Sequence, residues 1–198
     1  MFNDEKFSQA INMSGVNSIN WARIIAQSVY YFYAYFKVGN NHPLSFSVPT
    51  GNFGDIYAGY LAKKLGLPID KLIVATNKND ILHRAISGGD YTQKKVEETN
   101  TPSMDIQIAS NFERLLYDIK DSNSEVTKGV MAEIRNNTYK IDKSDLDKIK
   151  KNFISEMLDE NETVEMIKTI NDEHQMVVDP HTAAVSYTHL TLPTIYSV

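Results

Sequence analysis

The stretch "SVPTGNFGD" (residues 47–55) sets two glycines three positions apart, between an apolar segment and a helical pattern. Glycines at such a place let the backbone approach another group closely, and a helix N-terminus attracts an anion through its free N–H groups. The stretch lacks both the P-loop pattern and the G-x-G-x-x-G of dinucleotide folds. It is a candidate cradle for one compact phosphate, and the same spacing also fits an ordinary turn.

A second candidate is the stretch "SGVNSINWAR" (residues 14–23). Asn17, Asn20 and Arg23 recur at every third position, which brings them to one side of a helix. The planar fork of an arginine suits a phosphate or a carboxylate. The alternative is purely structural, with Asn17 as a helix cap and Arg23 paired with a neighbouring carboxylate.

The elements around these residues predict an α/β protein with a parallel sheet and covering helices. Residues 17–38 read as a helix capped by Asn17 or Ser18, with an aromatic run expected in the core. Residues 44–48 and 72–76 read as strands, joined by a helix that ends near residue 65. This βαβ unit puts the glycine turn at the carboxyl end of its first strand.

The second half of the chain is predicted to be mostly helical and external. Residues 92–110 are polar and are expected at the surface, and residues 124–171 read as amphipathic helices. Their apolar positions include Leu146, Ile149, Phe153 and Met157. After the helix start "DPHTAAV" the helical pattern stops at Val185, so residues 186–198 are interpreted as a non-native tail.

The composition points to a small-molecule partner. The 198 residues carry 20 basic and 25 acidic side chains without a basic block, which argues against a nucleic-acid surface. The chain has no cysteine, and it shows neither a signal-peptide pattern nor a long apolar run. We therefore expect a cytoplasmic protein that does not contact a membrane. His83, His174 and His181 lack metal-ligand spacing and are expected to be structural, so no metal site is predicted.

Five stretches of the sequence carry a resemblance to a known family: "SGVNSINWARIIAQSVYYF", "SVPTGNFGDIYAGYLAKKLGLPI", "ATNKNDILHR", "TPSMDIQIASNFERLLYD" and "DPHTAAV". Taken in this order, they closely resemble threonine synthases of the longer, yeast and enterobacterial type. The resemblance covers residues 1–185 and corresponds to a middle portion of that enzyme, so Met1 is expected to be an internal methionine. It implies a partial catalytic domain of a fold type II pyridoxal-phosphate enzyme, similar to tryptophan synthase β.

The resemblance also implies a reaction and a set of site residues. The family's enzymes are lyases that convert O-phosphohomoserine and water to L-threonine and phosphate with pyridoxal 5'-phosphate. The cofactor's phosphate is then expected at Gly51, Asn52, Phe53, Gly54 and Asp55. The substrate's phosphate is expected at Asn17, Ser18 and Arg23, with Asn52 near both.

The resemblance implies that one catalytic group lies outside this chain. The family's Schiff-base lysine precedes the matched part, and no lysine here occupies its motif, so the chain alone is expected to be inactive. It is also expected not to fold alone, because the resemblance implies that its sheet lacks strands on both sides and leaves exposed edges. Two alternatives stay open. One is a related phospho-lyase that acts on another phosphorylated amino acid, and the other is a non-catalytic remnant that binds a phosphate ligand.

Overall fold

A computed structural model describes residues 4–11, 17, 19–39 and 42–191. It has three strands among helices, in an α/β arrangement. The helices are α1 (Glu5–Ala10), α2 (Trp21–Val38), α3 (Gly54–Lys64), α4 (Ile81–Gly88), α5 (Phe112–Ile119), α6 (Ser124–Arg135), α7 (Lys143–Lys150), α8 (Glu160–His174) and α9 (Pro180–Thr191), with a 3₁₀ turn at Pro102–Met104. The strands are β1 (Leu44–Pro49), β2 (Ile69–Thr76) and β3 (Phe153–Met157).

The three strands form one parallel sheet in the order β1-β2-β3. Residues 72–76 of the central strand are all buried, because helices cover both faces of the sheet. The predicted βαβ unit and the predicted fold class are confirmed. The carboxyl ends of β1 and β2 meet at one edge, where parallel sheets present their ligands.

Strand β3 was missed by the sequence analysis. The prediction of amphipathic helices through residues 124–171 holds for α6, α7 and α8 but is wrong for Phe153 and Met157, which lie in β3. Their spacing of four fits an alternating strand as well as a helix. The segment forms a strand because it pairs with β2, for example Ile154 with Ile73. Phe153 is fully buried in this strand.

Helix α2 begins later than predicted and is only partly buried. Its N-cap is Asn20, whose side chain accepts a hydrogen bond from the Ala22 N–H, rather than Asn17 or Ser18. One face packs on α3, with the Tyr31 ring so close to Gly59 that an added Cβ would lie 2.5 Å from it.

The expectation that the aromatic run of α2 lies in the core is wrong for its opposite face. Val29, Tyr33 and Phe36 are 60%, 65% and 79% exposed. The cause is geometric: α3 covers one side of a helix that is apolar nearly all round.

Helix α9 runs past Val185, where the helical pattern was expected to stop. Thr188 is fully buried, and its hydroxyl lies 2.7 Å from that of Ser47 in β1. Tyr187 donates a hydrogen bond to Glu162 of α8. These contacts extend the helix to Thr191, while residues 192–198 lie outside the described part of the chain.

Within the described residues no helix is long and apolar enough to cross a bilayer. The same residues contain no group of three or more His, Asp or Glu side chains that could hold a metal ion.

Candidate functional site

The glycine turn is anchored to the sheet edge by Thr50. Its backbone N–H donates to the carbonyl of Ala75 at 2.8 Å, and its hydroxyl donates to the carbonyl of Val48 at 2.7 Å. Thr50 is itself buried, so neither bond competes with water. The loop Gly51–Gly54 therefore leaves β1 in a fixed direction.

Gly51 is a position where only glycine fits. A Cβ at this residue would lie 2.1 Å from the carbonyl oxygen of Ser103, well inside van der Waals contact. The segment around Ser103 therefore forms one wall of the loop, and the glycine spacing of the sequence has a packing reason here.

Phe53 bends the loop into the first turn of α3. Its φ of 63° is left-handed, a conformation that costs a non-glycine residue roughly 1–2 kcal/mol. Its ring is 1% exposed and packs edge-on against Phe112, with centroids 5.1 Å apart, which offsets that cost.

The bend at Phe53 makes the loop and the helix start a concave set of donors. A left-handed residue followed by helical ones turns successive N–H groups inward. The first N–H groups of α3, from Gly54 to Ile56, have no partner inside the helix, and its dipole favours an anion there. A donor set of this kind fits a phosphate group.

The start of α5 clamps Asn52 from the other side. The backbone carbonyl of Asn52 accepts hydrogen bonds from the backbone N–H and the Nδ2 of Asn111 at 3.0 and 3.2 Å. Its side-chain oxygen accepts a bond from the hydroxyl of Ser110 at 3.3 Å. Asn52 is exposed, so the clamp holds its backbone while the side chain faces outward.

Asp55 joins α3 to α2. Its carbonyl and its Oδ1 accept hydrogen bonds from the Tyr31 hydroxyl at 3.0 and 3.3 Å. Burial raises the pKa of the Asp55 carboxyl, and the bond from Tyr31 opposes that shift only in part. Burial and the nearby carboxylate raise the pKa of Tyr31 well above its usual value.

A buried polar network behind the loop was missed by the sequence analysis. Asn77, at the end of β2, donates through Nδ2 to hydroxyls of Thr99 and Thr101 and to Asp105 at 2.8–2.9 Å. Asn79 donates to the same Asp105 carboxylate at 3.0 Å. Asn77, Asn79 and Thr101 are 1–3% exposed.

This network corrects the expectation of a surface segment for the second half of residues 92–110, while residues 94–98 are exposed as expected. Thr101, Met104 and Gln107 are buried, because the hydrogen bonds from Asn77 and Asn79 hold their segment against the edge of the sheet. The two asparagines in "ATNKND", directly after a strand, were a sequence signal for a buried polar group. Their hydrogen-bond partners Thr99, Thr101 and Asp105 could not be predicted, because they lie more than twenty residues further along the chain.

The second candidate group is a turn rather than a helical strip. Asn17 precedes α2, and its side-chain oxygen accepts a bond from the Ile19 N–H at 3.0 Å. Arg23 is exposed on the first turn of α2. Ser18 lies outside the described residues.

A cleft of about 440 Å³ lies where the start of α2 meets α3, α5 and α6. Its walls include Ile19 and Trp21 from the start of α2, and Ser110 and Arg114 from α5 and its preceding turn. Ser110 also touches Asn52 of the loop. The cleft therefore adjoins Asn52 through Ser110 and the start of α2 through Ile19 and Trp21, while the described residues predicted to hold phosphate are not among those that line it.

Known proteins are similar to this chain in sequence and in fold. Threonine synthase of Saccharomyces cerevisiae is 45% identical over 92% of this chain. The chain is homologous to threonine synthases. A crystal structure of a PLP-bound threonine synthase from Brucella melitensis superimposes with a TM-score of 0.92 at 44% identity over 96% of the chain. No family model matches the sequence.

The chain corresponds to only part of these relatives. It spans 39% of the yeast threonine synthase and 41% of the Brucella chain. A maize serine racemase with 13% identity matches at a TM-score of 0.58, which supports the fold alone. The fold is therefore that of fold type II enzymes, as the resemblance implied.

Proposed function

We propose that this chain is part of a threonine synthase that uses pyridoxal 5'-phosphate to convert O-phosphohomoserine and water to L-threonine and phosphate. The observation that carries the proposal is the left-handed bend at Phe53, which places the loop Gly51–Gly54 between the carboxyl end of β1 and the first N–H groups of α3. The homology to threonine synthases supplies the identity of the anion. Because the chain spans about two fifths of those relatives, the activity is proposed for the longer protein.

The loop Gly51–Gly54 is assigned to the cofactor's phosphate. Its inward N–H groups and the dipole of α3 offset the charge of a phosphate without a counter-cation. When bound, the cofactor supplies an electron sink for removal of protons from the substrate. The Asp55 side chain does not suit this role, because its carboxylate repels an anion and accepts a hydrogen bond from Tyr31, so only its backbone N–H is assigned to the phosphate.

The turn at Asn17 and the first turn of α2 are assigned to the substrate's phosphate, with Ser18 and Arg23. Arg23 offers a charged, exposed fork in the first turn of a helix, where an anion is already favoured. A phosphate group gains negative charge as it leaves, so Arg23 stabilises the departing group as well as the bound substrate. Asn52, which is exposed at the loop, is assigned to both ligands on the resemblance to threonine synthases.

The experiment is a chimera in which residues 1–185 replace the matching segment of the yeast threonine synthase. We expect the chimera to restore growth of a threonine-requiring strain and to release phosphate from O-phosphohomoserine. Changing Arg23→Met should lower kcat/KM by about tenfold or more, because a charge-assisted bond is lost. Arg135→Met, which removes the same charge from the end of α6, is the control.

Equal kcat/KM in the Arg23→Met and Arg135→Met chimeras would contradict the assignment of Arg23. A folded chimera that releases phosphate from a different phosphorylated amino acid, and not from O-phosphohomoserine, would favour the related phospho-lyase. A chimera that binds the cofactor and turns over neither substrate would favour the non-catalytic remnant.

A further inference from the structure

Arg114 lies in α5 at the wall of the cleft and reaches across it to the start of α2. Its Nη2 donates to the carbonyl of Ile19 at 2.7 Å. Its guanidinium lies 5.1 Å from the centre of the Trp21 ring, within the range of a cation–π contact. Arg114 thereby holds the backbone one residue before the N-cap of α2 and the first side chain inside that helix.

The other side of the same guanidinium faces the loop. Its Nε donates to Oδ1 of Asn111 at 3.0 Å. Asn111 is fully buried and gives its backbone N–H and its Nδ2 to the carbonyl of Asn52. A continuous set of directed hydrogen bonds therefore runs from Asn52 through Asn111 and Arg114 to Ile19.

An arginine suits this place for a geometric reason. Its Nε and Nη2 point in fixed directions from one plane, so two bonds set the position of both partners at once. The oxygens that accept these bonds belong to an amide and a peptide group, both neutral. A lysine has one flexible ammonium group and cannot fix the two partners together.

We propose that Arg114 is a positioning residue that fixes the separation between the loop Gly51–Gly54 and the start of α2, where Arg23 lies. This inference rests on the proposed function, in which those two groups hold the phosphates of cofactor and substrate. Arg114 itself touches neither phosphate site. It sets how far apart the two anions are held.

The test uses Trp21, the single tryptophan of the 198-residue chain. Pyridoxamine 5'-phosphate is the probe, because it lacks the aldehyde that would react with surface lysines. Its own anisotropy measures binding, and energy transfer from Trp21 to the probe measures their separation. Acrylamide quenching of Trp21 is recorded with and without the probe in the wild type and in Arg114→Gln, Arg114→Lys and Arg135→Gln.

In Arg114→Gln we expect the quenching constant of Trp21 to rise by about twofold and energy transfer to fall, since the cation–π and carbonyl contacts are lost. Probe affinity should stay within about threefold, because the loop keeps its own donors. Arg114→Lys should recover part of the transfer, and Arg135→Gln should match the wild type.

Quenching and transfer in Arg114→Gln that equal those of Arg135→Gln would overturn the inference. If Arg114→Gln loses its circular-dichroism signal, Arg114→Lys decides, and wild-type quenching in that variant likewise overturns it. A wild-type chain that does not bind the probe counts against the proposed loop instead. In that case the ligand-free quenching of Trp21 still tests Arg114 separately.

Discussion

Gly51 and Ser103 are in such close contact that one methyl group decides whether the loop can form. Gly51→Ala would place a Cβ 2.1 Å from the Ser103 carbonyl oxygen, so the loop or the facing segment must shift. Overpacking of this kind costs about 1–3 kcal/mol of unfolding free energy. We expect Gly51→Ala to lower stability in urea denaturation and to weaken binding of pyridoxamine 5'-phosphate.

Gly129→Ala is the matched control for that substitution. Gly129 lies in α6 with no heavy atom within 4 Å of an added Cβ. Alanine there should raise the free energy of unfolding by about 0.5–1 kcal/mol through better helix propensity. If both alanine variants change stability in the same direction, the close contact at Gly51 is not what constrains the loop.

Asp55 gives a pH-dependent prediction. Burial raises its pKa above the ordinary 3.8, so the folded chain holds this proton more tightly than the unfolded chain. The free energy of unfolding should then fall as pH rises from 3.8 through the raised pKa. Asp55→Asn removes that fall and should be more stable than the wild type at neutral pH.

The measurement is the melting temperature of both proteins from about pH 3 to about pH 7, taken as a difference. Taking the difference cancels the contribution of other carboxyls to the pH dependence. Asp90 is an example: hydrogen bonds from Thr92 and Arg84 lower its pKa to about 2, so its contribution to stability grows as pH rises. A difference that stays constant across this range contradicts the burial of an ionisable Asp55.

At the scale of elements, the segment after α4 depends on the network around Asn77. Asn77→Ala removes the two N–H groups that Thr99, Thr101 and Asp105 share, and it leaves the Asp105 carboxylate short of a partner. Removing one member of a buried network costs about 1–3 kcal/mol. We expect this loss in urea denaturation, together with faster amide hydrogen exchange in residues 99–105.

Ser144→Ala is the comparison for the network variant. Its hydroxyl donates to Asp142 at an exposed site, so its loss should stay within about 0.5 kcal/mol. Exchange in residues 99–105 that is unchanged by Asn77→Ala would show that other contacts hold the segment on the loop.

At the scale of the whole molecule, the outer face of α2 is an exposed apolar surface that we expect to make contacts outside this chain. Ile25, Val29, Tyr33 and Phe36 recur every three or four residues, and they are 48–79% exposed. A continuous apolar stripe of this kind marks a contact surface. Since the relatives are more than twice as long as this chain, we expect their remaining sequence to cover it.

The double variant Val29→Lys with Phe36→Lys tests this expectation. In the isolated chain it should reduce self-association in sedimentation and dye binding, while the melting temperature changes little because both residues are exposed. In the yeast chimera it should abolish growth, because two charges would be buried. Val126→Lys, on α6, is the control, and a double variant that supports growth like the control would contradict the covered face.

Much of the site could be predicted from the sequence because its signals are local. The glycine spacing, the strand before it and the helix after it lie within about twenty residues, and periodicity and capping rules act at that range. The resemblance to threonine synthases was also contained in contiguous stretches. The homology and the fold class are confirmed. The roles of all the site residues stay predictions, for Gly51, Asn52, Phe53, Gly54 and Asp55 as for Asn17, Ser18 and Arg23.

The tertiary structure alone decided the features that join distant residues. Strand β3 exists because Phe153 and its neighbours pair with β2, about eighty residues earlier, and spacing alone could not distinguish that strand from a helix. The Asn77 network and the reach of Arg114 to Ile19 depend on side chains that meet only after the sheet has formed. Hydrogen bonds and close contacts act over a few ångströms, so the sequence supplied the groups and the fold chose their partners.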